Sequence, residues 1–374
     1  MNFQIRSDFP VTREVNYLDT AYDGPYPLPV LEAGRGFLDR RARGVGGRVQ
    51  DWLQVLEQAR NDLAAMINAK PEEVAITTNT TQGTNIVATS LAFEPGDSVV
   101  WDDLSYPSNA VVWGSLETSR GIENRILKNE GGSVSLADYE QAVDDRTKII
   151  SVSHVAHRNG YVYDLKGLAD LAHAHGAYLH VDGIQAVGAI GVDVKSSGVD
   201  FYTSGVYKWL LGPMGLAFFY VREELLPELE SVYRGFLQVK EYADDAHLLP
   251  VAYYETARKF ETATVHFMGA FELKAALDYL NRVGMDKIEK QVLRLSSRVW
   301  RGMKDMGLTL FTPPESRSGI VSCVLDDGEK VGRLLKDNGI VASINVGKEL
   351  RISPHFFNTE EEIDHLLSVL ETGL

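Results

Sequence analysis

Residues 178–185 are YLHVDGIQ and residues 204–213 are SGVYKWLLGP, and these two stretches decide the fold of the chain. An apolar strand ends at Asp182 in the first stretch, and the second stretch places Lys208 among aromatic and apolar neighbours. The two side chains are 208 − 182 = 26 residues apart, which fits two parallel strands joined by one crossover helix. Because ligands bind beyond the carboxyl ends of parallel strands, we expect Asp182 and Lys208 to share one edge of a sheet.

The sequence on either side predicts more elements of the same kind. Apolar runs with the length of strands lie at 74–77, 98–101 and 149–153, and a further strand is expected near 200–203. Helical periodicity is present at 86–91, and also after Asp164, where Gly176 closes the segment. Strands that alternate with helices predict an α/β fold with a mainly parallel sheet. From about residue 267, two amphipathic helices and short strands predict a second, smaller α+β domain.

The composition is that of a globular protein with an acidic surface. Of 374 residues, 44% are hydrophobic and 24% are charged, and 37 basic against 52 acidic side chains give a formal charge of −15. This charge disfavours binding to nucleic acid or to anionic lipid, and no apolar run approaches the roughly 20 residues that span a bilayer. The N-terminal residues lack the apolar core of a signal peptide. We therefore expect a cytoplasmic protein that binds neither nucleic acid nor membrane.

The cysteine content excludes two further classes of protein. Cys323 is the single cysteine, so the chain has no intrachain disulfide framework and no cysteine-based zinc site. It lies in the apolar run 319–325, where a cysteine behaves as a small buried hydrophobe. His173 and His175 have no third ligand nearby in the sequence, and we predict no metal site.

A third motif follows the strand at 74–77. Residues 79–85 are NTTQGTN, which places Thr80 and Thr81 just before a predicted helix. Free N–H groups at the start of a helix bind anions, although an ordinary threonine-rich N-cap would have the same sequence. The chain has neither GxGxxG after a strand nor GxxxxGK[ST], so dinucleotide and P-loop sites lose their main support.

Each of these motifs also has an ordinary structural explanation. Asp182 could cap a helix that begins at Gly183, and Lys208 could pack its stem on Trp209 with its amine in water. Together, however, an anion cradle, a buried carboxylate and a buried lysine are what pyridoxal 5′-phosphate requires. The cradle anchors the phosphate, the carboxylate keeps the ring nitrogen protonated, and desolvation makes the lysine amine nucleophilic. The three motifs therefore predict a pyridoxal-phosphate enzyme.

With these motifs the chain resembles the class V aminotransferase family of fold-type I pyridoxal-phosphate enzymes. This family includes cysteine desulfurases, isopenicillin-N-epimerase-like proteins, kynureninase and several aminotransferases. The resemblance runs over nearly the whole chain, from YLDTA at 17–21, through the motifs above, to LRISPHFFN at 350–358. It is specific for cofactor and fold, and less specific for the reaction.

The resemblance implies an architecture. The large pyridoxal-phosphate-binding domain would comprise residues 16–278, and the small domain would comprise residues 1–15 and 279–374. Because the family builds its site at a subunit interface, we expect a homodimer with shared active sites. The expected ligand is a small amino substrate.

The resemblance also implies roles for single residues. Lys208 matches the lysine that forms the Schiff base, and Asp182 matches the partner of the pyridine nitrogen. The other matched cofactor-binding positions are Thr80, Thr81, Tyr106, His157, Gln185, Tyr207 and Thr264. Among them, Tyr106 would stack on the ring, and Thr264 would reach the neighbouring subunit's phosphate. Arg351 matches the arginine that holds the substrate α-carboxylate, a contact that suits a planar guanidinium.

Two departures from the family pattern bear on the reaction. His157 stands where many relatives have Asn near the phenolic oxygen of the cofactor, and it could make the same hydrogen bond or transfer protons. Desulfurases carry a reactive cysteine shortly before the Arg351 motif, but the corresponding stretch here, 340–349, has none. The segment 40–48 is rich in arginine and is expected to be solvated, or else to line the mouth of the site.

These points favour aminotransfer, which needs no residue beyond those already assigned. An isopenicillin-N-epimerase-like epimerase or a C–S lyase of the cysteine desulfurase type is the enzymatic alternative. A non-catalytic pyridoxal-phosphate-fold binding protein is the alternative from another class. The presence of both Lys208 and Asp182 argues against it.

Overall fold

A computed structural model describes residues 3–242, 251–345 and 348–373 of the chain. The α-helices are α1 (Phe3–Ser7), α2 (Leu28–Ala42), α3 (Val49–Met66), α4 (Thr80–Ser90), α5 (Pro107–Arg120), α6 (Leu136–Ala142), α7 (Leu165–Ala174), α8 (Val194–Ser197), α9 (Phe267–Val283), α10 (Met285–Asp305), α11 (Gly328–Asp337) and α12 (Glu360–Gly373). The β-strands are β1 (Asn16–Tyr17), β2 (Val74–Thr77), β3 (Ser98–Asp102), β4 (Glu123–Leu127), β5 (Thr147–Ser153), β6 (Tyr178–Asp182), β7 (Phe201–Gly205), β8 (Ala217–Val221), β9 (Val239–Tyr242), β10 (Val251–Tyr253), β11 (Thr309–Leu310), β12 (Val321–Val324), β13 (Ile340–Val341), β14 (Ser343–Asn345) and β15 (Glu349–Ile352). Within these ranges no helix is long and apolar enough to cross a membrane.

The central sheet has seven strands in the order β2-β8-β7-β6-β5-β3-β4. All neighbours are parallel except β8, which runs antiparallel to both β2 and β7. The prediction of a mainly parallel sheet is confirmed, but the reversed strand was not predicted. Only the loop 206–216 joins β7 to β8, and it contains no helix, so the chain turns back instead of crossing over.

Apolar clusters cover both faces of this sheet. Tyr202 and Phe218 belong to one cluster, whereas Phe201 and Phe219 belong to another. Successive side chains of a strand point to opposite faces, so both faces of β7 and β8 are packed. This burial explains why the strands are continuous apolar runs and not alternating ones.

A smaller antiparallel sheet forms towards the C-terminus, in the order β11-β12-β15-β14. Helices α10 and α12 pack against each other beside it, and the third apolar cluster lies there. β1 pairs in parallel with β13, through Asn16 with Ile340, and so ties the start of the chain to this region. The domain boundaries at 15/16 and 278/279 stay a prediction.

The helix ends show which local signals the sequence carried. Asp164 accepts a hydrogen bond from the Gly167 amide at 3.0 Å, and Gly176 adopts a φ of +69°, as expected for the two ends of α7. α4 begins at Thr80, earlier than the predicted segment 86–91, because Asn79 caps it by accepting from the Gln82 amide at 2.8 Å. The hydroxyl-rich motif is therefore itself the first turn of a helix.

Candidate active site

The polar residues predicted from the motifs meet at the carboxyl edge of the central sheet. β6 ends at Asp182, β7 ends at Gly205, and the loop to β8 carries Lys208. A cavity of about 200 Å³ opens at this edge. It is lined by eight of the predicted residues: Thr80, Thr81, Tyr106, His157, Asp182, Gln185, Tyr207 and Lys208.

Asp182 is a buried carboxylate at the end of its strand. Desolvation raises its pKa to about 6, an effect that the positive charge of Lys208 opposes. The Ile184 amide donates to it at 3.1 Å, but residues 183–189 form turns and no helix. The helix-capping explanation of Asp182 is therefore wrong, and the carboxylate is ionised near neutral pH in a dry setting.

Lys208 is only 7% exposed, and its side chain lines the cavity instead of lying on the outer surface. Desolvation and the charge of Arg351 lower its pKa to about 8, while Asp182 and Asp19 act in the opposite direction. The loop around it is tightly constrained. A Cβ at Gly24 would lie 1.9 Å from the carbonyl oxygen of Lys208, so only glycine fits at that position.

The start of α4 forms the cradle for an anion. The Thr80 hydroxyl oxygen accepts from the Gly205 amide at 2.9 Å, and the Thr80 carbonyl accepts from the Thr203 hydroxyl at 3.0 Å. These bonds fix the first turn of α4 against the end of β7, with its free N–H groups at the cavity. Asn109 also lines this cavity, and its side-chain amide nitrogen is buried without a hydrogen-bond partner among the described residues. An unpaired buried donor and a helix N-terminus together suit a phosphate group.

His157 and Tyr106 lie on another side of the cavity. Their rings are 5.1 Å apart in an edge-to-face arrangement, and Tyr106 is largely exposed. Burial, with the charges of Arg351 and Lys208, lowers the pKa of His157 to about 3. His157 is therefore neutral at physiological pH, and its buried Nδ1 has no partner among the described residues. The geometry favours a hydrogen-bonding role over proton transfer.

Gln185 is held by two hydrogen bonds. Its amide nitrogen donates to the Ala21 carbonyl at 2.9 Å, and its oxygen accepts from the Trp209 indole at 2.8 Å. One N–H of Gln185 remains, and the family resemblance implies that this group donates to the phenolic oxygen of the cofactor. The bond to Trp209 also links the Asp182 loop directly to the loop that carries Lys208.

Arg351 lies beside the cavity and does not line it. It is 4% exposed on β15, and one terminal nitrogen donates to the His157 carbonyl at 2.9 Å. The other terminal nitrogen is 3.1 Å from the Ser343 hydroxyl and 3.3 Å from the Asp19 carboxylate. Its Nε is buried and has no hydrogen-bond partner in the part of the chain that the structure describes. Arg351 therefore keeps donors available for a further acceptor.

Asp19 and Ser343 are site residues that sequence reasoning missed. The Ser343 hydroxyl lies 2.8 Å from both carboxylate oxygens of Asp19, across a separation of 324 residues. Asp19 was part of a family motif but had no role, and Ser343 follows no motif at all. They meet because β1 pairs with β13 and β14 pairs with β15, and no local signal predicts that pairing.

The remaining predicted residues lie away from the cavity. Thr264 is exposed, as is required of a residue that contacts a partner, and its role stays a prediction. Arg40 places its guanidinium over the ring of Phe271 at 5.3 Å, and it does not line the cavity. In the stretch 340–349, Val346 and Gly347 lie outside the described residues.

Cys323 is fully buried on β12, and desolvation raises its pKa to about 12. The thiol is therefore protonated and out of contact with solvent, as its apolar neighbours in the sequence predicted. This cysteine is the only one in the chain, so no other thiol could replace it.

A family model described as aminotransferase class V matches residues 16–366. The chain belongs to this family. A probable cysteine desulfurase of Methanothermobacter thermautotrophicus is 32% identical over 98% of this chain and 96% of the relative. The uncharacterized aminotransferase YcbU of Bacillus subtilis is 30% identical over 97% and 96%. The structure of an apo cysteine desulfurase from Thermococcus onnurineus NA1 has a TM-score of 0.88 at 28% identity, covering 99% of this chain and 97% of that one.

The family and the geometry of the site agree on the cofactor. The chain is a pyridoxal-phosphate-dependent enzyme of fold type I, as predicted from the sequence. The start of α4 fits the phosphate, Asp182 fits the ring nitrogen, and the Lys208 amine lies in the same cavity. Membership of this family does not by itself decide between aminotransfer and C–S bond cleavage.

Proposed function

We propose that this enzyme transfers the amino group of a small α-amino acid, with Lys208 as the proton carrier and without an enzyme thiol. The observation that carries the proposal is the position of the buried Lys208 amine. It shares a cavity with Asp182, and it lies close enough to Arg351 for that charge to lower its pKa. Aminotransfer takes a proton from the substrate α-carbon and delivers one to a carbon atom two bonds away, and a single amine can perform both transfers.

Each residue of the site has a task in this reaction. When bound, pyridoxal 5′-phosphate supplies a conjugated ring that accepts the electrons of a bond broken at the substrate α-carbon. The first turn of α4 would hold the phosphate, and ionised Asp182 would keep the ring nitrogen protonated. Arg351 would hold the substrate carboxylate through its free donors. A Lys208 amine with a pKa of about 8 is neutral often enough to remove the α-proton and can then return it.

Cleavage of a C–S bond is the second candidate, and the similarity to a probable cysteine desulfurase favours it. A desulfurase passes sulfur to an exposed enzyme thiolate, which the buried Cys323 cannot supply. The compatible reaction is an elimination that releases sulfide to solvent. Elimination needs Lys208 for the α-proton and no protein thiol.

Epimerisation has less support from the geometry. Inversion at the α-carbon requires protonation on the face opposite to the one from which the proton leaves, which calls for a second acid–base group or a lysine that reaches both faces. The imidazole that lines the cavity, His157, is held neutral by burial with a pKa of about 3. It could not donate a proton near neutral pH.

Product analysis separates these reactions. The enzyme loaded with cofactor should be incubated with single amino acids, with and without a 2-oxo acid acceptor. Aminotransfer gives more than one equivalent of a new oxo acid per enzyme only when the acceptor is present, and it releases no ammonia. Elimination from cysteine gives pyruvate, ammonia and sulfide without an acceptor. Desulfuration gives alanine and an enzyme persulfide, which an added thiol reductant releases as sulfide. Alanine formation that depends on Cys323 would overturn the proposal, and the Lys208→Ala variant serves as the inactive control.

We also propose that the enzyme is a homodimer. Val232 and Tyr233 are exposed apolar residues, and they share a surface cavity with Asn79 and Thr81 of the phosphate cradle. A second copy that covered this surface would complete the cradle from outside. Light scattering should give twice the chain mass. The Tyr233→Asp variant should be monomeric and should hold the cofactor more weakly, whereas a wild-type monomer with full cofactor content would contradict this.

A further inference from the structure

A second cavity lies in the C-terminal part of the molecule, apart from the pyridoxal-phosphate site. It measures about 370 Å³ and is bordered by α10 on one side and by residues of the segment 312–321 on the other. Its lining combines apolar side chains, among them Trp300 and Ile320, with two arginines, Arg301 and Arg317. Small-molecule sites commonly combine an apolar lining with a few polar groups in this way.

Arg301 and Arg317 lack the ion pairs that two other arginines, both on α10, form among the described residues. Arg294 and Arg298 pair with Glu360 and Asp364 on α12. Arg301 donates only to a backbone carbonyl of its own helix, at 3.2 Å. Among the described residues no carboxylate lies within ion-pair distance of Arg301 or Arg317, although the chain carries a formal charge of −15.

A buried hydroxyl adds a further donor to this site. The Ser316 hydroxyl belongs to the lining and is buried, and no described residue offers it a hydrogen-bond partner. Buried polar groups are normally paired, so the Ser316 hydroxyl calls for an acceptor. Arg301 and Arg317 are exposed in the same lining, and their charge suits an anionic one. The indole of Trp300 is fixed by donating to the Thr312 carbonyl at 3.1 Å. The apolar wall is therefore preformed.

We propose that this cavity binds a small molecule with an aromatic or aliphatic body and a terminal carboxylate. The body packs on Trp300 and Ile320, and the carboxylate accepts from Arg317, Arg301 and the Ser316 hydroxyl. Guanidinium groups suit this role because they present paired donors to a planar carboxylate.

The cavity wall also contacts the loop that carries His157. Thr312 donates to the Asn159 carbonyl at 2.6 Å, and Ser318 donates to the Gly160 carbonyl at 2.8 Å. Gly160 adopts a φ of +74°, and a Cβ there would lie 2.3 Å from the Ile320 carbonyl oxygen. A ligand that orders the segment 312–320 therefore also orders the loop 155–162.

The test is calorimetric titration of the holoenzyme with indole-3-acetate. Indole-3-acetamide and inorganic phosphate serve as the charge-deleted and body-deleted probes. We expect indole-3-acetate to bind, and both other probes to bind at least about tenfold more weakly. Indole-3-acetamide lacks the carboxylate, and inorganic phosphate lacks the apolar body. Arg317→Gln and Arg301→Gln should each weaken indole-3-acetate by about tenfold. Arg298→Gln, with the same charge change on the same helix, should leave its affinity unchanged.

One further variant distinguishes this cavity from the active site. Arg351→Gln should leave the affinity for indole-3-acetate unchanged, because the proposed ligand does not use the substrate arginine. Hydrogen exchange in the segment 155–162 should slow when the probe is bound. The proposal is overturned if indole-3-acetate does not bind, if it loses affinity in Arg351→Gln, or if Arg317→Gln and Arg298→Gln bind it equally well.

Discussion

Arg60 and Arg351 are both buried arginines beside a carboxylate, yet their surroundings differ. Arg60, 1% exposed on α3, uses all five of its N–H groups. Its acceptors are both carboxylate oxygens of Glu261, both of Glu57 and the Val74 carbonyl. Arg60 thereby joins α3, β2 and the segment before α9 in one saturated network.

Arg351 makes fewer hydrogen bonds, three among the described residues. Its nearest carboxylate oxygen, on Asp19, is 3.3 Å away, longer than a strong charge-assisted bond, and its Nε has no partner. Its surroundings also include the cation Lys208, and the charge of Arg351 lowers the pKa of that lysine. The comparison teaches that burial alone does not identify a functional arginine. Arg351 is set apart by its unused donors together with its position beside the cavity of Lys208, because unpaired donors are costly unless a ligand completes them.

The largest effect on stability should come from Arg60. Arg60→Met leaves Glu261 buried without its cation, and removing one partner of a buried pair costs about 3–5 kcal/mol of unfolding free energy. Denaturant unfolding of the holoenzyme measures this loss. Arg298→Gln, which breaks the exposed pair with Asp364, should cost at most about 1 kcal/mol. Equal losses in the two variants would show that Arg60 is no structural anchor.

Arg351→Gln, in contrast to Arg60→Met, should impair activity more than stability. The loss of a partly buried contact with the substrate carboxylate should lower kcat/KM by the equivalent of about 2–5 kcal/mol. Stability should fall less than in Arg60→Met, because Ser343 still donates to Asp19. Cofactor content should be retained, since the phosphate cradle lies on α4. Steady-state kinetics with the best amino substrate, with cofactor absorbance as the control, test this. An unchanged kcat/KM would remove Arg351 from the site.

Cys323 lies on β12, the strand next to that of Arg351, and pairs with Leu350. Its substitution should have a smaller effect than that of either arginine. Cys323→Ala should cost about 1 kcal/mol of stability through a small cavity. Turnover should stay at the wild-type level, because the thiol is buried and protonated. Assays of sulfide and of oxo-acid products in parallel would reveal any sulfur transfer. A folded, cofactor-loaded Cys323→Ala variant without activity would restore cysteine desulfuration as the leading function.

The subtlest effect concerns the pH at which the apoenzyme takes up cofactor. Uptake requires a neutral Lys208 amine, so its rate should rise with pH through about 8 and then level off. Arg351→Gln removes a cation that lowers the pKa of Lys208, so the midpoint should move to higher pH. Asp19→Asn removes an anion that raises this pKa, so the midpoint should move to lower pH. Stopped-flow absorbance measures both, and shifts in the same direction would disprove the electrostatic coupling.

The sequence predicted those parts of the site that rest on local chemistry. Asp182 and Lys208 each follow an apolar strand, so strand pattern and spacing were enough to place them on one sheet edge. The neighbours of Arg351 could not be predicted in this way. Asp19 and Ser343 are joined by pairing between distant short strands, and two- or three-residue strands carry too little hydrophobic pattern to predict their partners.

The reversed strand β8 was missed for a related reason. Its residues are as apolar as those of the parallel strands around it, because β8 is packed on both faces. Direction depends on the connection and not on the strand itself. The absence of a helix between Gly205 and Ala217 was the one available signal.

The pairing of β1 with β13 has a consequence for how the enzyme is made. Synthesis proceeds from the N-terminus, so Asn16 and Tyr17 leave the ribosome long before their partners Ile340 and Val341 exist. The seven strands of the central sheet all precede this point and could assemble on the nascent chain. Arg351 comes later still. Lys208 and its cavity could thus form during translation, whereas recognition of the substrate carboxylate must wait until residues 340–352 have been synthesised.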